Sequence, residues 1–269
     1  MIKLKIANIF FQEGKIYMPK VLYAELTPQE FRERIADCPI AYLPLGTLEW
    51  HGEHLPLGAD GIQSQGFFVE LAKKVGGIVM PMLFVGPDRR IETESGELYG
   101  MDPWTGEKGG AKIREPGQLA GSAYWLPDES FFELINCIFK QLQRAGFKAV
   151  VAHGHGPSTG FVAKHAQQWL DKYGLTVKNC WGSELDGEGM GIQVDHAAAN
   201  ETSLVWALRP ELVQMHRLSG DLDDPRQFPV AVGGKDPRIH ASEAKGKEII
   251  ELNLERMEKI LKDVLKRPN

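Results

Sequence analysis

The chain has 269 residues, of which 43% are hydrophobic and 25% are charged. This composition is typical of a globular protein and argues against a disordered, collagen-like or coiled-coil chain. The 36 acidic and 31 basic residues give a formal net charge of −5 and form no Lys/Arg run that could follow phosphates, so we expect no nucleic-acid partner.

Membrane and disulfide signals are also weak. No run reaches the roughly 18 apolar residues that span a bilayer, and residues 1–7 lack the apolar core of a secretion signal. We therefore predict no membrane partner and a cytoplasmic location. Cys38, Cys137 and Cys180 are widely spaced and odd in number, which predicts neither a disulfide framework nor a thiolate zinc site. We expect these cysteines to be small buried hydrophobic residues.

Short apolar runs alternate with amphipathic segments along the chain. Residues 40–45 predict a strand that ends at Gly46. A helix follows, with apolar side chains at helical spacing from Phe68 to Val75 and two glycines after it. Residues 77–81 then predict a second strand.

The second half of the pattern continues the alternation. A longer helix begins near Pro127 and ends before Gly146, and it leads directly into a third strand over residues 147–152. Further helices are predicted over residues 160–172, 201–208 and 250–264. This order is typical of a mostly parallel sheet flanked by helices on both faces. We predict one α/β domain over residues 1–269, because no repeat or linker divides the chain.

One segment departs from this order. Residues 86–124 carry glycine, proline and charge with little periodicity, and the segment is far longer than a usual connection. We expect a long loop or arm. The aromatic residues within it or at its end could form a wall for a small planar substrate, or could pack the loop onto its own domain or onto a neighbouring subunit. These residues are Tyr99, Trp104, Tyr124 and Trp125.

The densest group of metal-ligand residue types follows the first strand, at an edge where open α/β sheets bind ligands. It contains Glu49, His51, Glu53, His54 and Asp60. In an extended segment Glu49 and His51 project to the same side, which suits two adjacent ions, or one ion if the loop curls at Gly52. His51 and His54 could meet only on a helical turn, which Gly52 and Pro56 oppose, so His54 ranks below His51 as a ligand.

Two further groups contain histidine. His153 and His155 lie between glycines beyond the third strand, where core packing explains them poorly. We expect at most one of the two to face the same ion as the first loop, while the other orients a ligand or contacts substrate. The third group contains Asp195, His196 and Glu201. It is weak alone, because Asp–His pairs are common on surfaces, and gains weight beside the other two.

Together these blocks carry a family resemblance. The stretches LGTLEWHG at residues 45–52 and HLPLGAD at residues 54–60 closely resemble the G-[ST]-x-E-Q-H-G-x-H-L-P-L-x-T-D signature of the creatininase (creatinine amidohydrolase) family. Two further blocks agree in order. They are GHG at residues 154–156, and DHA at residues 195–197 with ETS at residues 201–203.

The resemblance implies a single α/β domain, a centre of two divalent metal ions, and hydrolysis of C–N bonds in small cyclic or linear amides. It implies that Glu49, His51, Asp60 and His155 are metal ligands, that Asp60 bridges the ions, and that His196 is catalytic. The expected cofactors are Zn with Zn, Mn or Fe. Relatives are often hexamers, so a homo-oligomer such as a hexamer is expected.

Three positions depart from the family pattern. Pro157 stands where creatininase itself has a carboxylate that completes the shell of the second ion, so creatinine is not the expected substrate. Glu201 is the nearest alternative carboxylate, and we predict that it is a metal ligand or a catalytic group that supports the ligands. His153 replaces an asparagine and Trp50 a glutamine. The residues expected to contact substrate or to support ligands are Trp50, His54, His153 and Asp195.

These observations predict a dinuclear-metal amidohydrolase in which a metal-bridging hydroxide attacks the amide carbon. His196 is expected to protonate the expelled nitrogen, with its neighbour Asp195 holding its tautomer. Two alternatives stay open. One is a formamide deformylase or lactam hydrolase of the same superfamily, and the other is a catalytically silent binding protein stabilised by metal.

Overall fold

The structure is a computed structural model that describes residues 10–12, 15–17, 20–105, 107–108, 111–112 and 115–266. The strands are β1 (Phe10–Gln12), β2 (Lys15–Tyr17), β3 (Ile40–Leu45), β4 (Ile78–Val79), β5 (Arg90–Thr93), β6 (Gly96–Tyr99), β7 (Glu107–Lys108), β8 (Ala111–Lys112), β9 (Ala149–Gly154) and β10 (Thr176–Lys178). The helices are α1 (Pro28–Asp37), α2 (Ala59–Val75), α3 (Asp128–Ala145), α4 (Gly156–Lys164), α5 (Ala166–Tyr173), α6 (Ser183–Gly187), α7 (Ala199–Leu208), α8 (Pro237–His240) and α9 (Glu243–Lys266). Short 3-10 helices lie at Tyr23–Glu25, Pro210–Leu212, Met215–Arg217 and Pro225–Gln227.

A parallel sheet of four strands, in the order β10-β9-β3-β4, forms the centre of the fold. Strand β3 pairs with β9 along its whole length, from Ile40 opposite Ala149 to Leu45 opposite Gly154. Every residue of both strands is buried, as expected for parallel strands covered on both faces. Because β3 and β9 end in register, the chain leaves the sheet twice at the same edge.

Alternate side chains of β3 pack on opposite faces of the sheet. Ile40 and Tyr42 join a buried cluster that contains side chains of α2, α7 and α9. Ala41 and Leu43 join a second cluster that contains side chains of α3, α4 and α5. The sheet is therefore flanked by helices on both faces, which confirms the predicted α/β fold class.

The strands and helices that the sequence predicts are present in the structure. The start of helix α2 is the boundary that differs from its prediction with most consequence for the site. Strand β3 and helix α3 are confirmed with the expected bounds. Helix α2 begins at Ala59, well before the apolar residues that predicted it. Its first turns bury small and polar residues such as Asp60 and Gln63, so they lack the apolar spacing that marks a helix in sequence. Asp60 therefore lies in a first helical turn and not in the preceding loop.

Other boundaries differ from the predictions. The helix expected over residues 160–172 is two helices, α4 and α5, which meet at His165. The third strand runs from Ala149 to Gly154, because backbone pairing with β3 continues past the apolar run. The edge strand β10 was missed, since three partly exposed residues give no clear pattern.

The segment over residues 86–124 contains two antiparallel pairs, β5 with β6 and β7 with β8. Residues 106, 109–110 and 113–114 of this segment lie outside the described part of the chain. Because residues 1–9 and 267–269 also lie outside it, the extent of the domain over the whole chain stays a prediction. In the described ranges, no helix combines the length and apolarity needed to cross a bilayer.

The cysteines are free thiols, and one of them differs from the prediction. Cys38 and Cys180 are buried, whereas Cys137 is exposed. Cys137 lies on α3, whose buried stripe contains Phe131, Ile135 and Phe139. The position of Cys137 falls outside this stripe, so the expectation that every cysteine is buried was wrong there.

Helix α9 packs closely on α7 at Gly246, where an added Cβ atom would lie 1.9 Å from the carbonyl oxygen of Ser203. We expect Gly246→Ala to lower the free energy of unfolding by about 1–3 kcal/mol, because the α9 backbone must move away. The matched control is Gly160→Ala in α4, where a Cβ would meet nothing within 4 Å. This control should be neutral or stabilising by up to about 1 kcal/mol. Urea unfolding measures both, and equal stability of Gly246→Ala and the parent chain would contradict the close packing.

Candidate metal centre

The loop over residues 46–58 carries Glu49 and His51 across the edge of the sheet. The amide of Gly46 donates to the carbonyl of Leu83 at 2.6 Å, and the amide of Glu49 donates to the carbonyl of Leu57 at 3.0 Å. The first bond ties the start of the loop to the chain after β4, and the second bond closes the loop across itself. Glu49 and His51 are consequently buried, with exposed fractions of 4% and 0%.

His155 follows strand β9, where the chain leaves the same edge of the sheet a second time. Strand β9 approaches β3 so closely at Gly154 that an added Cβ would lie 1.6 Å from the carbonyl oxygen of Leu45, and Gly154 has a φ of +148°. Only glycine fits this approach. The amide of His155 donates to the same carbonyl at 3.0 Å. His155 is thereby held beside Asp60, which lies in the first turn of α2.

Asp60 lies at the centre of the cluster. Its Oδ2 atom is 3.1 Å from Nδ1 of His155 and 3.5 Å from Nε2 of His51. Gln193 donates through Nε2 to Oδ1 of Asp60 at 3.2 Å and to its backbone carbonyl at 3.1 Å. One carboxylate oxygen thus faces two histidines while the other is fixed by an amide.

Glu49 and Glu201 approach the histidines from two sides. Glu49 Oε1 is 3.5 Å from Nδ1 of His155, and Glu201 Oε2 is 3.7 Å from Nε2 of His51. The amide of Ala197 donates to Glu201 Oε2 at 2.8 Å, which fixes that side chain. Three groups of ligand atoms result, each with its atoms within 4.8 Å of one another: Glu49, His51 and His196; Glu49, Asp88 and His155; and His51, Asp60 and Glu201.

This donor set fits divalent metal ions. The Nε2 atom of His51 is buried and has no hydrogen-bond partner in the described structure. Glu49, Asp60 and Glu201 are also buried, and buried carboxylates are costly without compensating charge. Imidazole and carboxylate together are ligands that suit zinc, manganese and iron. The residues present can therefore hold the metal ions that the sequence predicts.

In the metal-free chain, protons compensate the buried charge. Burial opposes protonation of His51, but the charges of Asp60, Glu201 and Glu49 outweigh it and raise its pKa to about 10. Burial, together with the charge of Asp60, raises the pKa of Glu201 well above its usual value. Metal ions would replace these protons, so metal binding at this site releases protons.

His196 lies against the cluster with a defined tautomer. Its ring stacks on His51, with centroids 4.4 Å apart. Its Nε2 atom is 2.7 Å from the carbonyl oxygen of Trp50, and because a carbonyl only accepts, Nε2 carries the proton. Burial and the charge of His51 lower the pKa of His196. The neutral ring therefore presents an unprotonated Nδ1 on the side of Glu49, 3.8 Å from Oε1.

The structure gives Asp195 a different contact from the one expected. Its carboxylate accepts hydrogen bonds from the amides of Asn200 at 2.8 Å and Glu201 at 3.0 Å. The tautomer of His196 is instead set by the Trp50 carbonyl. Asp195 thus satisfies free amides in the first turn of α7, because these donors have no partner within the helix.

His54 and His153, which the sequence placed near substrate or ligands, contact a hydroxyl and backbone groups of the protein. His54 Nε2 lies 2.8 Å from Oγ1 of Thr202, and burial lowers the pKa of His54 to about 4. His153 lies with Nε2 2.9 Å from the Ile192 carbonyl and accepts the amide of Cys180 at 3.3 Å. Burial likewise lowers the pKa of His153 to about 4, so both rings are neutral.

Glu53 and Trp50, the other two residues of the 46–58 loop that the sequence singled out, also lie outside the three ligand groups. Glu53 is exposed. Trp50 donates its indole N–H to the carbonyl of Ala120, which ties the loop to the 86–124 segment.

A cavity of about 600 Å³ opens beside the cluster, a size typical of sites for small ligands. Its wall includes Glu49, Asp60, His155, His196 and Glu201, with Met101, Trp181 and Gln193 among the other lining residues. Trp50, His54 and His153 are not among its lining residues, so their expected role against substrate gains no support from the cavity. A second cavity of about 290 Å³ lies under the 86–124 segment and is lined by Tyr99, Tyr124 and Trp125.

The sequence analysis missed two residues of the site. Asp88 lies with Oδ2 3.1 Å from Nε2 of His155, and Gln193 fixes Asp60. Asp88 is the first carboxylate after the second predicted strand, so the rule that ligands gather at strand ends could have found it. Gln193 has a left-handed φ of 54° and belongs to no pattern that sequence reveals.

Comparison with known proteins gives consistent similarities. The family model described as creatininase, creatinine amidohydrolase, matches residues 24–99 and 110–261. The creatinine amidohydrolase of Pseudomonas putida is 27% identical over 265 residues, covering 86% of this chain and 92% of that protein. The 3-dehydro-scyllo-inosose hydrolase of Thermotoga maritima is 23% identical over 291 residues, covering 92% of this chain and 84% of that protein. A solved creatininase mutant of Zn-Zn type superposes with a TM-score of 0.68 at 21% identity, covering 92% of this chain and 100% of that one.

Replacing Asp195 with alanine leaves two amides of α7 without their acceptor. We expect Asp195→Ala to lower the free energy of unfolding by about 1–2 kcal/mol, as the loss of a helix cap does. Asp195→Asn keeps an acceptor and should lose less. Chemical denaturation of the metal-free proteins measures the difference, and an unchanged stability of Asp195→Ala would show that the capping contact contributes nothing.

Proposed function

The chain belongs to the creatininase (creatinine amidohydrolase) family, and from this premise we propose that it hydrolyses a C–N bond of a small cyclic or linear amide with two divalent metal ions. The observation that carries the proposal is the convergence of buried histidines and carboxylates around Asp60 beside a cavity of about 600 Å³. The donors come from separate elements of the fold, so they meet only because the tertiary structure brings them together.

Two sets of residues would hold the ions. Glu49, Asp60 and His155 would hold one, and His51, Asp60 and Glu201 would hold the other. Asp60 is the shared ligand, because its Oδ2 atom lies between the two histidines. The bound ions would activate a water molecule as the nucleophile and polarise the amide carbonyl. We expect zinc paired with zinc, manganese or iron.

The family pattern leads us to expect a carboxylate ligand at the position of Pro157, and we assign that role to Glu201. Pro157 lines the cavity and offers no side-chain ligand. Glu201 reaches the same centre from α7, with Oε2 held by the amide of Ala197. The changed wall of the cavity supports an amide other than creatinine as the substrate.

His196 would move the proton of the reaction. Its Nε2 proton is committed to the Trp50 carbonyl, so Nδ1 is the atom that is free to accept a proton. Nδ1 takes the proton that the attacking water releases and delivers it to the departing nitrogen, which is a poor leaving group without protonation. The Trp50 carbonyl stabilises the protonated ring during this transfer.

Formamides and lactams present the same C–N bond to this machinery, so a deformylase or lactam hydrolase activity is a variant of the same proposal. The binding-protein alternative has less support, because the proposed ligands and the proton carrier are all present. A homo-oligomer and a cytoplasmic location stay predictions.

Removal of the shared ligand should abolish metal binding. We expect Asp60→Ala to lose both ions and His51→Ala to lose mainly one, because the Oδ2 atom of Asp60 lies between His51 and His155. Elemental analysis of protein purified without chelator measures the ions per chain. The control is Glu53→Ala, an exposed carboxylate of the same loop, which should keep the full content. Two retained ions in Asp60→Ala would contradict the shared-ligand assignment.

The metal-loaded protein should hydrolyse at least one member of a panel of cyclic and linear amides, formamides and lactams. Ammonia, amine and formate release are the readouts for the linear amides and formamides. Chromatographic loss of the substrate is the readout for the cyclic amides, which include creatinine, named for one relative. We expect His196→Asn to lower kcat by about 10²- to 10⁴-fold, the usual contribution of a positioned proton carrier.

The metal content of His196→Asn should stay unchanged, and His216→Asn, an exposed histidine, is the matched control. Unaltered turnover in His196→Asn would remove the proton-transfer role. Hydrolysis of no amide by the metal-loaded chain would contradict the proposed function itself.

A further inference from the structure

Asp88 faces the side of His155 that is turned away from Asp60. We propose that Asp88 is a positioning residue for His155 and that the 86–124 segment, to which Asp88 belongs, thereby sets the metal affinity of the site. This inference rests on the proposed function only in taking His155 as a metal ligand.

The two ring nitrogens of His155 face different carboxylates. Nδ1 lies 3.1 Å from Asp60 and 3.5 Å from Glu49, the two carboxylates that would share an ion with it. Nε2 lies 3.1 Å from Oδ2 of Asp88. If the ion is bound through Nδ1, the ring proton must be on Nε2, where Asp88 is the nearby acceptor.

Many metal sites have a carboxylate that accepts the ring proton of a metal-binding histidine. It holds the imidazole in the tautomer that leaves the other nitrogen free for the ion, fixes the ring orientation, and raises the basicity of the ligand. Loss of such a partner usually weakens metal binding by about 10- to 100-fold. Asp88 is suited to this role because its side chain is only 17% exposed, so water screens the contact little.

The position of Asp88 is itself determined by the 86–124 segment. The indole N–H of Trp125 donates to the backbone carbonyl of Asp88 at 3.1 Å. Trp125 packs on Tyr99, with ring centroids 5.0 Å apart. The amide of Gly100 donates to the carbonyl of Arg89 at 2.8 Å. Contacts from the residue after the β5–β6 hairpin and from Trp125, just after the segment, therefore converge on residues 88–89.

Gly100 also makes room for the charged groups. It has a φ of +51°, and an added Cβ would lie 2.8 Å from Oδ2 of Asp88 and 3.1 Å from Oε2 of Glu49. A larger residue there would push against both carboxylates. The segment is thus shaped around Asp88 and Glu49, which supports a role in the metal centre.

The test measures zinc binding and needs no substrate. The protein is stripped of metal, and Zn²⁺ is titrated in competition with a chromophoric chelator to obtain affinity and the number of ions bound. We expect Asp88→Ala to weaken the affinity of one ion by about 10- to 100-fold while both ions still bind at saturating zinc. Asp88→Asn keeps an acceptor and should recover part of the loss.

Glu92→Ala is the matched control, because it removes a carboxylate from the same hairpin at a side chain that is 79% exposed. It should bind zinc as the parent chain does. Trp125→Phe keeps an aromatic ring beside Tyr99 but is smaller and lacks the indole N–H that holds the Asp88 carbonyl, so it should weaken binding of the same ion to a smaller extent. This variant tests the coupling even if Asp88→Ala fails to fold.

Parent-like affinity of a folded Asp88→Ala would overturn the positioning role, and parent-like affinity of Trp125→Phe would overturn the coupling to the segment. Loss of one whole ion in Asp88→Ala at saturating zinc would show that Asp88 is a ligand and not a positioning residue. A parent chain that binds no zinc would overturn this inference together with the metal sites. Asp88-dependent zinc binding without hydrolysis of any amide would contradict only the proposed function.

Discussion

Buried negative charge at one edge of the sheet is the constraint on which the rest of the site depends. Glu49, Asp60 and Glu201 are each at most 4% exposed, and Asp88 stands close behind His155. If all four carboxylates are ionised and the histidines are neutral, two divalent ions would balance the four negative charges. Without ions, protonation of His51 and Glu201 reduces the imbalance, as the directions of their pKa shifts indicate. The centre therefore couples metal binding to proton release.

The scaffold holds these charges together with its buried parallel strands and the helices that pack on them. Strands β3 and β9 leave the sheet in register, which brings the Glu49 loop and His155 to one place. Asp60 lies in the first turn of α2, where free amides and the helix dipole favour a carboxylate. Glu201 belongs to α7, whose first turn is capped by Asp195. Each ligand is thus held by an element that packs into a buried cluster of the fold, or by a bond to such an element.

Less regular backbone completes the site. Gln193 and Ala197 both have left-handed φ angles, 54° and 52°, on either side of His196. Such conformations cost free energy and persist where surrounding contacts enforce them. Here they allow Gln193 to bond Asp60 while the amide of Ala197 bonds Glu201. The 86–124 segment adds Asp88 from the opposite side, so irregular chain supplies the groups that orient the ligands.

Much of this could be predicted from sequence, because it depends on neighbours in the chain. Alternating apolar runs and amphipathic segments determined the α/β class, and the spacing of Glu49, His51 and Asp60 indicated the chemistry of the first loop. Only the tertiary structure decided that Asp88 faces His155 and that Gln193 bonds Asp60. It also decided that Asp195 caps α7 while the Trp50 carbonyl sets the tautomer of His196. Some of those contacts join residues from distant parts of the chain, and others depend on the direction in which a side chain points. Tertiary packing determines which distant residues meet and how their side chains are oriented.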